Sequence, residues 1–191
     1  MHDMSENRRG PVLGEPAPFF KATKKEGGIR LDKLKGSWVI LFSHPDDLLP
    51  IFETRTIKYV LCKRRINAVA IGCNHSPQAT SETSFFEKYM VKHSLTIIDD
   101  ADNQVAISYG LDSADEDSSV KGVFVIDPKS NLRMKLFFPI DTERDFMEIL
   151  KLVDALQVAE KQNKQKKQTA GIKGLKLKLN RLIMPGITGK Q

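Results

Sequence analysis

Cysteine is scarce in this sequence. Cys62 and Cys73 are the only two, too few for the disulfide framework of a small secreted domain. No stretch approaches the roughly 18 consecutive apolar residues of a membrane-spanning helix. The first ten residues are polar, carry Arg8 and Arg9, and are not followed by an apolar segment. A secretory signal is therefore not expected, and a cytoplasmic location is. There is no internal repeat. Metal-ligand spacing is also missing. Cys73 and His75 are neighbours, but no second ligand pair accompanies them at zinc spacing. The acidic run Asp112–Asp117 lacks the glycine and terminal glutamate of a calcium loop, and reads as an acidic surface loop. Neither a metal nor a cofactor is expected. From Val158 to Gln191 there is no aromatic residue, so base stacking has nothing to work with there.

What is present is an ordinary domain composition, with 40% hydrophobic and 28% charged residues in 191. That length suits one domain of about 150 residues plus extra sequence. A domain of that size buries roughly 68–70% of its unfolded surface and needs no covalent staples. Charge is distributed unevenly. Val158–Gln191 contains nine Lys or Arg and one acid, Glu160, for a net +8; the chain as a whole is +6, which leaves −2 for residues 1–157. Such asymmetry points to an interaction segment.

Short continuous apolar runs occur at Trp38–Phe42, Ala68–Gly72, Leu95–Ile98 and Gly122–Ile126. Each suits a strand buried on both faces. A fifth, Leu132–Phe138, follows the turn-forming stretch Asp127–Asn131 and should pair with the fourth as a hairpin. Helical patterns lie between them, at residues 52–65 and at 80–92, the latter opened by Thr80 or Ser81. The clearest helix contains Phe146, Ile149, Leu150, Leu152, Val153 and Leu156, with Asp141 or Thr142 as its cap and an end near Gln157. Strands alternating with helices mean an α/β fold around a central sheet, with an antiparallel edge from the hairpin. The expected organisation is a disordered leader over 1–11, a domain over 12–157 and a basic tail over 158–191. In the tail, Lys161–Lys167 has no apolar periodicity. Farther on, the leucines of Leu175–Ile183 fit a strand by alternation, while Ile172, Leu175, Leu179 and Leu182 fit one helical face. The pattern does not decide between these.

Several segments resemble one family in order along the chain. Leu13-Gly14-Glu15-Pro16-Ala17-Pro18-Phe19-Phe20 is similar to the opening of the alkyl hydroperoxide reductase and thiol-specific antioxidant (AhpC/TSA) proteins, the peroxiredoxins. Leu41-Phe42-Ser43-His44-Pro45 resembles the strand leading to their active-site loop, in the form found in the 1-Cys subgroup. Ile98-Asp99-Asp100, Ala106–Leu111 and Gly122–Pro128 fit later segments, and Thr142–Asp145 with Glu148–Gln157 fits the closing helix. The resemblance covers residues 12–157 and implies a thioredoxin-like mixed sheet flanked by helices. It implies pairing into homodimers as well.

The family reaction is antioxidant: a cysteine thiolate at the first turn of a helix reduces a peroxide. Only the thiolate attacks the O–O bond, so a helix N-terminus and an arginine lower the thiol pKa. The motif runs from a proline through a Thr or Ser four residues on to the cysteine three residues later. Started at Pro45, that spacing puts Leu49 at the hydroxyl position and Phe52 at the cysteine position. Lys121 falls where the family has an arginine, and a lysine lacks the planar fork that makes paired hydrogen bonds. Arg144 matches a second family arginine. The resemblance thus implies a peroxiredoxin-like protein without its reaction, a non-catalytic binding or regulatory module. The alternative is a thiol-dependent peroxidase that uses Cys73 or Cys62.

Cys73 ends an apolar run, where a free cysteine serves as a small core residue. Cys62 is flanked by Lys63, Arg64 and Arg65 within a helical pattern. His44 belongs to the family loop, and Asp46-Asp47 reads as a solvated turn. For the tail, a solvated extension stands against an anionic partner, whether lipid surface, nucleic acid or acidic protein. Such a partner would be met by Lys161, Lys164, Lys166, Lys167, Lys173, Lys176, Lys178 and Arg181. The interleaved leucines favour a lipid headgroup or a protein over nucleic acid.

Overall fold

The computed structural model describes residues 10–21, 30–52, 54–72, 95–100, 102–111 and 120–183. Five strands form one mixed sheet: β1 (Trp38–Ser43), β2 (Ile66–Gly72), β3 (Leu95–Asp99), β4 (Val120–Ile126) and β5 (Leu132–Pro139). Their order is β3-β2-β1-β4-β5. β1 runs parallel to β2, and β2 to β3, while β4 lies antiparallel to both β1 and β5. All five expected strands are present. The sheet with its flanking helices has the thioredoxin-like α/β architecture.

β1 is central, and all six of its residues are buried, as a continuous apolar run requires when both sheet faces are covered. Successive side chains point to opposite faces. Val39 and Leu41 join one core with Phe20, Val69, Ile71, Ile98, Tyr109, Phe124 and Ile126. Ile40 and Phe42 point the other way, and there Phe52 stacks on Phe42. The β4–β5 hairpin closes through Asp127, whose carboxylate accepts from Lys129 N and Asn131 N, each at 2.9 Å. The opening segment lies along this hairpin: Gly14 N donates to Leu132 O at 2.7 Å and Ala17 N to Ser130 O at 2.9 Å. Pro11, placed at the end of the expected leader, is buried.

The helical segments are α1 (Leu49–Phe52), α2 (Arg55–Arg64), α3 (Gln104–Ser108) and α4 (Phe146–Ile183). The single helix expected over 52–65 is broken. Thr54 is extended, and its hydroxyl accepts from Ile57 N as the N-cap of α2, a stronger local preference for threonine than a mid-helix position. The first turn of α3 is held by Asp100, a buried carboxylate accepting from Val105 N at 3.0 Å and Ala106 N at 2.8 Å.

Two compact units are distinguished, Met1–Phe146 and Met147–Gln191. The second is dominated by α4, whose 38 residues correct two expectations. The helix starts at Phe146, beyond the expected caps Asp141 and Thr142, which lie in a turn. It also continues through Gln157 to Ile183, so the Lys161–Lys167 stretch and the leucine-rich segment after it are helical. Extension explains this better than amphipathicity. Ile149, Leu150 and Val153 are buried in the first turns, so the costly nucleus is already formed, and Lys, Gln and Ala propagate a helix readily. Lys164 pairs with Glu160 one turn earlier at 2.8 Å, a further small contribution. The expected helix over 80–92, Cys73, His75 and the acidic run 112–117 lie outside the described residues.

Candidate active site

The candidate site forms where β1 ends. Ser43 is fully buried. A hydroxyl in an otherwise apolar strand needs a partner, and its Oγ accepts from Gly122 N of β4 at 2.9 Å. Position 122 is tight: a Cβ there would sit 2.5 Å from Leu111 Cδ2 and 2.8 Å from the Phe124 ring, so those side chains would have to shift. After Ser43 the chain turns sharply. His44 adopts the left-handed conformation with φ 50°, which is strained for a residue with a Cβ. Its Nδ1 lies 3.1 Å from Ser43 Oγ. Pro45 then opens a tight turn over Pro45–Asp47, where a fixed φ suits the first position, and Leu48 N closes it on Pro45 O at 2.8 Å. α1 follows, carrying Leu49 and Phe52.

Arg144 secures this turn. Its Nε donates to Asp47 Oδ2 at 3.0 Å and its Nη2 to Asp47 Oδ1 at 2.7 Å, a forked pair of the kind guanidinium geometry favours. Arg144 N adds a third bond to Asp47 Oδ2 at 3.0 Å. Nη2 also donates to the His44 carbonyl, and Nη1 to Gly122 O at 3.4 Å. The Phe42 ring lies 5.8 Å from the guanidinium carbon. Lys121 completes the group: its Nζ donates to Thr142 O at 3.0 Å and sits 3.7 Å from Asp47 Oδ2. The Arg144 side chain is fully buried. Burial alone would raise the Asp47 pKa, but the Arg144 hydrogen bonds and charge, with Lys121 behind them, hold it below the usual carboxylate value.

The expected site residues therefore divide into two groups. Lys121 and Arg144 meet Asp47 in the turn that Pro45 opens. Leu49 and Phe52, in α1, are buried. Phe52, where the family spacing puts its cysteine, is 2% exposed. Its ring lies 5.6 Å from Phe42, stacked, and 4.6 Å from Phe146, tilted. The expectation of Asp46-Asp47 as a solvated turn is corrected for Asp47, which is the counter-charge a buried arginine requires; Asp46 is exposed. The alternative thiol Cys62 is exposed and lies in the last turn of α2. There the outward groups are carbonyls, and Arg65 N already bonds the Cys62 carbonyl. The helix N-terminus that assists a thiolate is absent at that position.

Known proteins resemble the chain across this whole region. The model of the AhpC/TSA family matches residues 13–135. A peroxiredoxin 2 from Caldanaerobacter subterraneus subsp. tengcongensis is 34% identical over 159 residues, covering 79% of this chain and 72% of the relative. Peroxiredoxin-6 of Gallus gallus is 34% identical over 166 residues, covering 78% and 74%. Among solved structures, yeast mitochondrial 1-Cys peroxiredoxin superposes with a TM-score of 0.62 at 28% identity, with 78% of each chain covered.

Proposed function

The chain belongs to the AhpC/TSA family, the peroxiredoxins, and from that premise we propose that it is a member without thiol peroxidase activity, acting as a non-catalytic binding or regulatory module. The observation that carries this reading is Phe52. Counted from Pro45, position 52 is where the family nucleophile belongs, and a phenyl ring cannot form a thiolate or attack an O–O bond. Leu49 offers no hydroxyl to a peroxide oxygen. Every nitrogen of the Arg144 side chain donates to Asp47, His44 or Gly122, so this arginine ties the turn after β1 to β4. The electrostatic frame of the site is thus kept as structure, with an aromatic stack in the place of the chemistry.

The rival reading is a thiol peroxidase working from Cys73 or Cys62. It has in its favour that the relatives carry the name peroxiredoxin at 34% identity. Consumption of hydrogen peroxide by the reduced protein separates the two. Under the proposed reading the rate equals a no-protein control, and Cys62→Ser and Cys73→Ser change nothing. Repeated turnover abolished by either substitution establishes the rival.

Two further parts of the proposal concern partners. The protein pairs with a second copy, as the family resemblance implies; light scattering at micromolar concentration showing only 21.5 kDa would refute this. The basic stretch from Lys161 to Arg181 contacts an anionic partner. Its support is the +8 net charge of Val158–Gln191, and its test is binding that falls steeply with added salt.

A further inference from the structure

We infer that the distal part of α4 is a lipid-surface helix, which lays an aliphatic stripe into the interface of an anionic bilayer while its lysines meet the headgroups. The inference rests on the anionic-partner reading above and specifies that partner; it is independent of whether the protein turns over peroxide.

The decisive observation is that α4 is continuous to Ile183. The sequence pattern alone left a strand and a helix open for this segment, and only the helix sorts its residues by face. At 3.6 residues per turn, Ile172, Leu175, Leu179, Leu182 and Ile183 fall within an arc of roughly 100°. Lys173, Lys178 and Arg181 fall outside that arc, and Lys176 borders it. Leu177 takes the opposite side. Ile172, where the stripe begins, is 60% exposed. The preceding turns are polar: residues 161–170 are all exposed, and they include Lys161, Lys164, Lys166 and Lys167.

Charge and side-chain type together select the partner. Beyond Glu160 there is no acidic residue to Gln191, so the segment meets negative charge without internal competition. A nucleic acid would use the lysines but leave the stripe without a function. Protein interface hot spots are enriched in Trp and Tyr, and this segment has no aromatic residue. An acyl-chain boundary accepts Leu and Ile without geometric demands, and lysine stems can lie along it with their heads in the headgroup layer. Twelve residues, 172–183, span about 18 Å as a helix, well short of the roughly 30 Å hydrocarbon core. Among the described residues no helix is long and apolar enough to cross a membrane. The segment lies on a surface and does not span it.

The test is vesicle flotation of the full chain with pure phosphatidylcholine, with phosphatidylcholine containing phosphatidylserine, and, separately, binding to duplex DNA. Each cation near an anionic surface contributes roughly fivefold in partitioning, so the serine-containing vesicles should bind at least about tenfold more tightly at low salt. Leu175→Glu with Leu179→Glu puts two carboxylates into the stripe. Ala170→Glu with Leu177→Glu makes the same charge change on the other side. The first pair should abolish vesicle binding, and the second should retain most of it. Lys166→Gln with Lys167→Gln, which leaves the stripe intact, should weaken binding by roughly an order of magnitude. Equal loss from the two glutamate pairs overturns the stripe. Absence of binding to anionic vesicles at low salt overturns the inference: if duplex DNA binds instead, the anionic-partner reading survives without lipid, and if neither binds, both fall.

Discussion

Replacing Phe52 with alanine measures how much its ring contributes to the core. Phe52 is 2% exposed and stands between Phe42 and Phe146, themselves among the largest fully buried side chains. Truncating a buried phenylalanine costs about 3–5 kcal/mol, the spread reflecting how well the surroundings collapse. Two aromatic contacts are lost at once, each worth about 0.5–1.5 kcal/mol beyond area burial, which places Phe52→Ala toward the upper part of that range. For a chain of this length, 1 kcal/mol moves Tm by about 2–4 °C, so a fall of roughly 10 °C or more is expected. Phe19, 56% exposed with Arg30 over its ring, is the matched control. Phe19→Ala should cost no more than about 1 kcal/mol. The assay is thermal unfolding followed by circular dichroism, with urea unfolding to confirm the ranking. A Tm for Phe52→Ala within about 2 °C of the parent would mean that the ring is not packed as described. The site would then be an open apolar surface, not a filled one.

Three further variants test other parts of the structure. Asp47→Asn leaves the buried Arg144 without its counter-charge and should cost about 3–5 kcal/mol by urea unfolding at neutral pH. The Asp47 pKa is lowered in the folded state, so the unfolded chain binds the extra proton first. The Asp47 contribution is present above about pH 4 and is lost as pH falls through the depressed folded value. The parent should therefore lose stability below about pH 4 more steeply than Asp47→Asn, and parallel curves would contradict the pairing. Gly122→Ala should destabilise by about 1–3 kcal/mol, because its Cβ would meet Leu111 Cδ2 at 2.5 Å and the Phe124 ring at 2.8 Å; an unchanged urea midpoint would refute that packing. A chain stopped after Gln157 should keep its cooperative unfolding transition while losing the helical signal of residues 158–183, whereas an unchanged helical signal would contradict the extended α4.

The strands were legible because β1 and its neighbours are buried on both faces, so each appears as an uninterrupted apolar run with little competing explanation. The hairpin was legible because Asp127 to Asn131 carries its own turn chemistry. Less visible were features set by tertiary charge or by helix propagation. Asp47 looks like any acid in a turn until Arg144, almost a hundred residues later, is brought to it. The break at Thr54 is a local capping choice that apolar periodicity does not record. The extension of α4 past Gln157 has no apolar face at Lys161–Lys167, and a reading based on periodicity passes over it although lysine, glutamine and alanine favour the helix. At the site, the family spacing from Pro45 leads to Leu49 and Phe52, the two ends of α1. The spacing could not show that Arg144, Asp47 and Lys121 would be spent on holding that turn.

The central claim is that an aromatic stack occupies the place of the chemistry on an otherwise family-like frame. Peroxide consumption in the presence of a thiol reductant tests it most directly, comparing the parent protein with the triple variant Leu49→Thr, Phe52→Cys and Lys121→Arg. The account predicts no turnover by the parent above a no-protein control, and turnover by the triple variant that disappears when residue 52 is serine instead. Sustained turnover by the parent would contradict the account.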